Sequence, residues 1–333
     1  MGTRHLVFGL AALVIATALE RAATADPPPS TTARPKRRAV KPPPPPPAPE
    51  PTPPPAAPPS PEPAESKPAA PALVVEASPR PAVDEAASAH PAAAGEASWA
   101  HAIGVLRASV EMGSRDFRYV DRLTPTLRSY SLFAAPMARI DGEIYPLARS
   151  GLPVLDGLGV TADYAIAFAL SSADASGASV GTSWSRLDVG ARERIPLGRV
   201  AVLGLHGGYG QIVYSFDGSP DTTTQVPSVE YHFVRAGLDA RFLLGALSLY
   251  VDGSYLGVLS TGPVGAYFPR ETVGGVEARA GVAQSLGAGF LLSAEASYTR
   301  FFYTLNPTPG DAYVAGGALD QMVTASLGLG YMF

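Results

Sequence analysis

Cysteine is absent from all 333 residues, which excludes disulfides, thiolate metal sites, cysteine nucleophiles and a lipid-anchored N-terminal cysteine together. Lysine occurs only at Lys36, Lys41 and Lys67, so the chain from Trp99 onward has no P-loop lysine and no Schiff-base lysine. An excess of one charge sign is lacking as well. The formal net charge of -4 provides no strong field for nucleic acid or another polyanion. After the N-terminal run, no apolar stretch reaches the ~20 residues of a spanning helix, so any later membrane crossing falls to strands.

What is present divides the chain into three parts. Arg4, an apolar run from Leu6 to Leu19 and the small residues Ala23-Thr24-Ala25 before Asp26 have the layout of a secretory signal peptide, residues 1–25, with Ala23 and Ala25 at the cleavage site. About two thirds of the 35 prolines precede Trp99, including the run Pro42 to Pro47. Proline fixes φ and removes the backbone donor, so residues 26–98 are expected to form a disordered linker of coil and polyproline II. Its basic cluster, Arg34, Lys36, Arg37, Arg38 and Lys41, fits either a solvated linker or a contact with cell wall or a periplasmic protein.

From residue 99 to 333 the texture becomes apolar and polar alternation, broken by clusters of Gly, Pro and Asp. Ten strands can be drawn, over about 102–115, 130–145, 158–170, 182–195, 199–216, 229–244, 247–259, 273–286, 290–302 and 321–333. The second keeps a single phase, with Leu132, Ala134, Ala138 and Ile140 outward. The fifth changes phase near Gly207-Gly208, which predicts a bulge there. Short links at Pro196-Leu197-Gly198, Gly245-Ala246 and Gly287-Ala288-Gly289 alternate with long ones, as in membrane barrels. The link from Pro146 to Gly157 is long for its place. Only Pro136 falls inside a strand.

The last strand alternates Val323, Ala325, Leu327, Leu329, Tyr331 and Phe333 against Thr324, Ser326, Gly328 and Gly330. Ser326, then Gly328, then Tyr331 and Phe333 resembles the C-terminal assembly signal of bacterial outer-membrane β-barrel proteins. The resemblance implies an all-β fold, a transmembrane antiparallel up-and-down β-barrel of about ten strands. It also implies placement in the outer membrane of a Gram-negative bacterium with the N-terminal arm in the periplasm, and contact with outer-membrane lipid and the barrel assembly machinery.

The phase of the strands sends a charged set into the bore: Arg107, Glu111, Arg139, Asp141, Glu143, Asp163, Arg186, Asp188, Arg192, Arg194, Arg235, Asp239, Arg241, Asp252, Glu277, Arg279 and Glu295. The two signs nearly balance and every cation is arginine, whose planar fork pairs with carboxylates in a fixed geometry. An ion-paired lumen is expected, with a narrow porin-like diffusion channel as the alternative. The aromatics Trp184, Tyr214, Phe216, Tyr231, Phe233, Tyr255, Tyr267, Phe268, Phe301, Phe302 and Tyr303 cluster toward the loop ends. They are expected to form an interfacial girdle.

Signals of catalysis are weak. Gly177-Ala178-Ser179-Val180-Gly181 fits the serine-hydrolase elbow pattern, but it sits in a Ser, Ala and Gly loop without a histidine in reach. His206 and His232 lack metal-ligand spacing. Asp217, Asp221, Asp311 and Asp320 select no reactive pair for a surface enzyme. The expectation is a non-enzymatic barrel, structural or tethering in role, with no metal, no cofactor and no nucleic-acid partner.

Overall fold

The computed structural model describes residues 99–152, 155–173, 179–217 and 228–333. The expected signal peptide, its Ala23 and Ala25 cleavage site and the proline-rich linker lie outside the described residues. Eleven strands form one antiparallel sheet: β1 (Gly104–Val120), β2 (Tyr130–Ile144), β3 (Leu158–Ala167), β4 (Ser171–Ala173), β5 (Ser179–Leu197), β6 (Ala201–Asp217), β7 (Val229–Leu244), β8 (Leu247–Ser260), β9 (Thr272–Gly287), β10 (Phe290–Thr304) and β11 (Gly317–Met332). Each pairs with its sequence neighbour, except that β3 pairs with β5 instead of β4, and β1 also pairs with β11. Those two pairings close the ring. Because β4 only continues the line of β3, the wall has ten staves.

The strands alternate because one face meets lipid and the other fills the bore. Val110, Val160, Leu205, Leu238, Leu327 and Leu329 are among the exposed apolar side chains of the outer face. On β10, Phe290 and Phe302 are both exposed and bracket this belt. The strand rises roughly 40 Å between them, or about 30 Å along an axis tilted by ~40°. That matches a bilayer core. Replacing Leu238, 66% exposed near the middle of β7, by arginine is expected to cost about 2–4 kcal/mol in a lipid bilayer. Arg300→Lys, a charge-conserving change at an exposed position, should be neutral in the same unfolding titration.

Short turns, long loops and both described chain ends sort as the alternation requires. The links at 198–200, 245–246 and 288–289 lie at the end carrying Trp99 and Phe333, with Gly198 and Gly245 supplying the positive φ of their turns. The link from 145 to 157 lies at the same end, held by the buried Tyr145 and Ala148. At the opposite end, a short helix α1 (Pro263–Tyr267) tucks Val264 into the mouth, and Phe268 follows it in. There the loop after β1 is tied to the loop before β11, where the Leu123 amide donates to the Val314 carbonyl at 2.9 Å. Strands reach further toward this end than the alternation alone predicts, most of all β1 and β11.

Two expectations about phase are overturned. The wall between β1 and β2 shifts register between Gly113 and Arg115, where Ala134 adopts φ 58. This bulge turns Leu132 inward, opposite Arg115, instead of leaving it on the lipid face. In contrast, β6 runs in unbroken register with both neighbours from Ala201 to Tyr214, so no bulge occurs at Gly207-Gly208. Its even-numbered residues face inward throughout. What changes along β6 is the chemistry of the lumen, from Gly204 and His206 to Ile212 and Tyr214. Pro136 is tolerated because β3 leaves the ladder beside it: Phe168 donates the last amide to the Pro136 carbonyl, and Ala169 then turns away at φ 55.

Candidate functional site

The lumen is built in two storeys, both made by the inward half of the strand alternation. The storey toward the short turns holds the charged set. Arg139 on β2 forks onto Asp163 of the adjacent strand, Nε to Oδ1 at 3.0 Å and Nη2 to Oδ2 at 2.7 Å. Its remaining nitrogen crosses the bore to Glu295 on β10 at 2.7 Å. Arg186 on β5 crosses to Glu111 on β1 through two bonds of 3.2 Å. These are chords between staves three apart in the ring, and side chains that meet along chords fill the bore.

The other arginines extend the lattice. Arg107 binds Asp141 directly across the β1–β2 ladder at 2.5 Å. Arg192 grips Asp239 with Nε at 2.8 Å and Nη2 at 2.5 Å, and reaches Glu143 at 3.2 Å. Arg235 joins Glu277 at 2.9 Å to Asp188 at 3.3 Å, while Arg279 joins Glu277 at 2.5 Å to Asp163 at 3.3 Å. Every one of the seventeen charges expected in the lumen is buried or half-buried on the inner face. Arg194 stands apart from the ion-pair lattice. Among the described residues it has no carboxylate partner and donates instead to the carbonyls of Trp99 and Ala102.

A cavity of about 130 Å³ remains among these groups, bordered by Arg107, Glu143, Thr161, Arg192 and Arg241. Beside it the donor atoms of His206, Asp239 and Asp252 lie within 4.8 Å of one another. Sequence spacing missed this cluster because the three residues come from three strands and meet only through the ladder. Each carboxylate is already matched, Asp239 by the Arg192 fork and Asp252 by the Ser254 hydroxyl, which donates at 3.3 Å, with Arg235 at 3.7 Å. The cluster reads as part of the ion-pair lattice. A carboxylate held by an arginine fork gives up that pairing before it can bind a metal.

The storey toward the long loops is an aromatic core, and it corrects the girdle expectation. Trp184, Tyr214, Tyr231, Phe233, Phe301, Tyr303 and Phe268 are buried in it, with Phe216 and Tyr267 packed at its edge. Only Tyr255 and Phe302 of that set lie exposed on the outer face. Tyr231 stacks on Phe301 with ring centroids 3.8 Å apart. The missed signal was phase: Trp184 stands two before Arg186, Phe233 two before Arg235, and Phe301 is in step with Glu295.

Within that core lies an ion pair that strand-end reasoning also missed. Arg115 on β1 holds Asp320 on β11 through Nε at 2.9 Å and Nη2 at 2.7 Å, both side chains fully buried. The Tyr231 hydroxyl donates to the same carboxylate at 2.8 Å, and Tyr303 donates to Tyr231. The guanidinium lies 4.1 Å from the Tyr214 ring centroid, a cation–π contact.

The other sequence candidates are placed plainly. Tyr331 and Phe333 are exposed on the outer face, while Gly328 is buried and Ser326 sits in register with Glu111 and Glu295. Gly177 and Ala178 lie outside the described residues, as does Asp221. Ser179 opens strand β5, whereas a nucleophile elbow joins a strand to a helix. Asp311 is engaged by Arg270, which holds its carboxyl below the usual carboxylate range, and His232 by Glu230 at 3.0 Å.

No family model matches this chain, and no curated protein does. Solved structures similar to it include Neisserial surface protein A, at 10% identity and a TM-score of 0.32, covering 69% of this chain and 97% of that one. The outer membrane protein AlkL, determined by solid-state NMR in DMPC lipid bilayers, gives 13% identity and 0.34, covering 72% and 94%. Ail, the attachment invasion locus protein of Yersinia pestis, gives 11% and 0.29, covering 69% and 99%. At such identities the residue roles rest on this chain's own geometry.

Proposed function

We propose that this chain is an outer-membrane barrel with a closed, ion-paired lumen, non-enzymatic, which anchors its N-terminal arm to the envelope. The observation that carries the reading is the double filling of the bore: an arginine and carboxylate lattice in one storey, and an aromatic core around Arg115 and Asp320 in the other. Solute crossing would have to displace both. The exposed apolar belt supports contact with membrane lipid. The non-enzymatic part rests on the engagement of the acids: Asp163, Glu111, Asp239 and Glu295 are each held by arginine, which leaves no poised acid and base pair among them.

The end of the barrel bearing Trp99 and the short turns would then face the periplasm, and residues 26–98 would extend from it toward cell wall or a periplasmic protein. Tyr331 on the outer face of β11, and Phe333 just after it, stand where the barrel assembly machinery would read them. Purified full-length barrel in planar bilayers is expected to show no steady conductance. A reproducible ohmic current would replace this reading with the narrow diffusion channel. For the arm, co-sedimentation with isolated cell wall is expected to fall on deletion of residues 27–97, and unchanged binding would end the tethering role.

A further inference from the structure

The ladder of β1 ends one residue before Gly104. The Ile103 amide donates to the Phe333 carbonyl at 2.8 Å, and the Ile103 carbonyl accepts from Tyr145 at 2.7 Å. N-terminal to this point the chain leaves the wall and folds as a turn into the bore. Ala100 and Ala102 are buried there, and Ala102 packs with Val105, Leu291 and Met332, against which Trp99 leans. These four apolar residues face inward at the short-turn mouth.

Two arginines hold the turn, and both lack the tight carboxylate partner that the rest of the lattice has. Arg194 donates Nη1 to the Trp99 carbonyl at 2.9 Å and to the Ala102 carbonyl at 3.0 Å, while its guanidinium lies 3.8 Å from the Tyr145 ring centroid. Arg241 places its guanidinium 3.5 Å from the centroid of the Trp99 ring, and its one carboxylate contact among the described residues, to Glu143, is 3.8 Å long. Arg241, Glu143 and the Tyr145 partner Arg192 border the cavity. The indole therefore stacks on an arginine that borders the cavity. Its seat is chemically distinct: a cation–π contact and two carbonyl bonds, where the neighbouring arginines have forks onto carboxylates.

We propose that Trp99 is a removable stopper, seated on Arg241 and Arg194, that closes the charged cavity of the lumen to solutes at the short-turn mouth. The proposal needs the barrel but neither the tethering role nor the closed aromatic storey. Withdrawing the Trp99 ring leaves the strand ladder intact, because β1 begins only at Gly104. Withdrawal would open a blind vestibule lined by both charge signs. It would not open a through path, since the aromatic core lies beyond.

The absence of native cysteine allows a direct test. Thr161 borders the cavity, so Thr161→Cys in the full chain provides a single thiol there. Folded barrels, verified by heat-shifted gel migration, are treated with a small charged methanethiosulfonate. Labelling is expected to be slow with Trp99 present and roughly tenfold faster when Trp99→Ala or Arg241→Gln is added. Ala246→Cys in an exposed turn should label at one rate in all backgrounds. Fast labelling of Cys at 161 with Trp99 in place overturns the stopper, and so does equally slow labelling in folded Trp99→Ala barrels. Should the paired variants not fold, iodide quenching of Trp99 fluorescence in Trp184→Phe decides. Weak quenching supports the seat and full quenching overturns it.

Discussion

Arg115→Ala is expected to destabilise the folded barrel by about 3–5 kcal/mol, the cost of leaving one member of a buried ion pair without its partner. Both side chains have no exposed surface, and the surroundings are the rings of Phe117, Tyr214 and Tyr231. After the substitution Asp320 retains one neutral hydroxyl donor, Tyr231, in a site with no water-facing side. Asp320→Ala should cost a similar amount by stranding the guanidinium. The double change Arg115→Met with Asp320→Leu is expected to recover most of the loss, since a buried pair replaced by well-packed apolar groups is often near neutral. Urea midpoints in lipid compare the native chain, the two single variants and the double variant. Single losses below about 1 kcal/mol would mean that the site is hydrated and the aromatic storey is not sealed.

Trp184→Ala should be nearly as damaging, at about 3–5 kcal/mol. The indole is 1% exposed and lies against Tyr214 with ring centroids 5.9 Å apart. Its space is provided by Gly113 on the far wall, where a Cβ would stand 2.5 Å from the ring. Truncation leaves a void that rigid staves cannot collapse. Filling the same space from the other side, by Gly113→Val, should expel the ring and cost a comparable amount. With Trp99→Phe removing the other tryptophan, Trp184 emission is the readout: blue-shifted with Gly113 in place and red-shifted in Gly113→Val. An unchanged spectrum would show that the wall yields and the ring does not.

The stave count, the inward charges and the sorting of short and long links were legible because the period of two is imposed by lipid on one face. Legibility failed where lipid and lumen looked alike. Ile212 and Tyr214 are as apolar as outward residues, so β6 gave the impression of a phase change that its continuous register rules out. The same ambiguity sent Trp184 and Phe301 to the girdle on paper, while the charged neighbours Arg186 and Glu295 already carried the correct phase. The bulge at Ala134 left no mark, because alanine suits either face. The chords from Arg139 to Glu295 and from Arg186 to Glu111 depend on ring closure and stagger, which no local pattern encodes.

Arg115 and Asp320 are separated by 205 positions in the chain yet sit on the two strands that join start to finish of the ring. Before those strands meet, each charge faces an open edge with nothing to neutralise it, and the surrounding rings cannot pack. Contacts of such long separation form late. The pair thus makes the final edge-to-edge joining an all-or-none event: a sheet with nine staves in place gains nothing from it, and the tenth completes it at once. A misregistered seam would leave a buried ion stranded, so correct pairing of the ends is favoured by the interior as well as by the ladder.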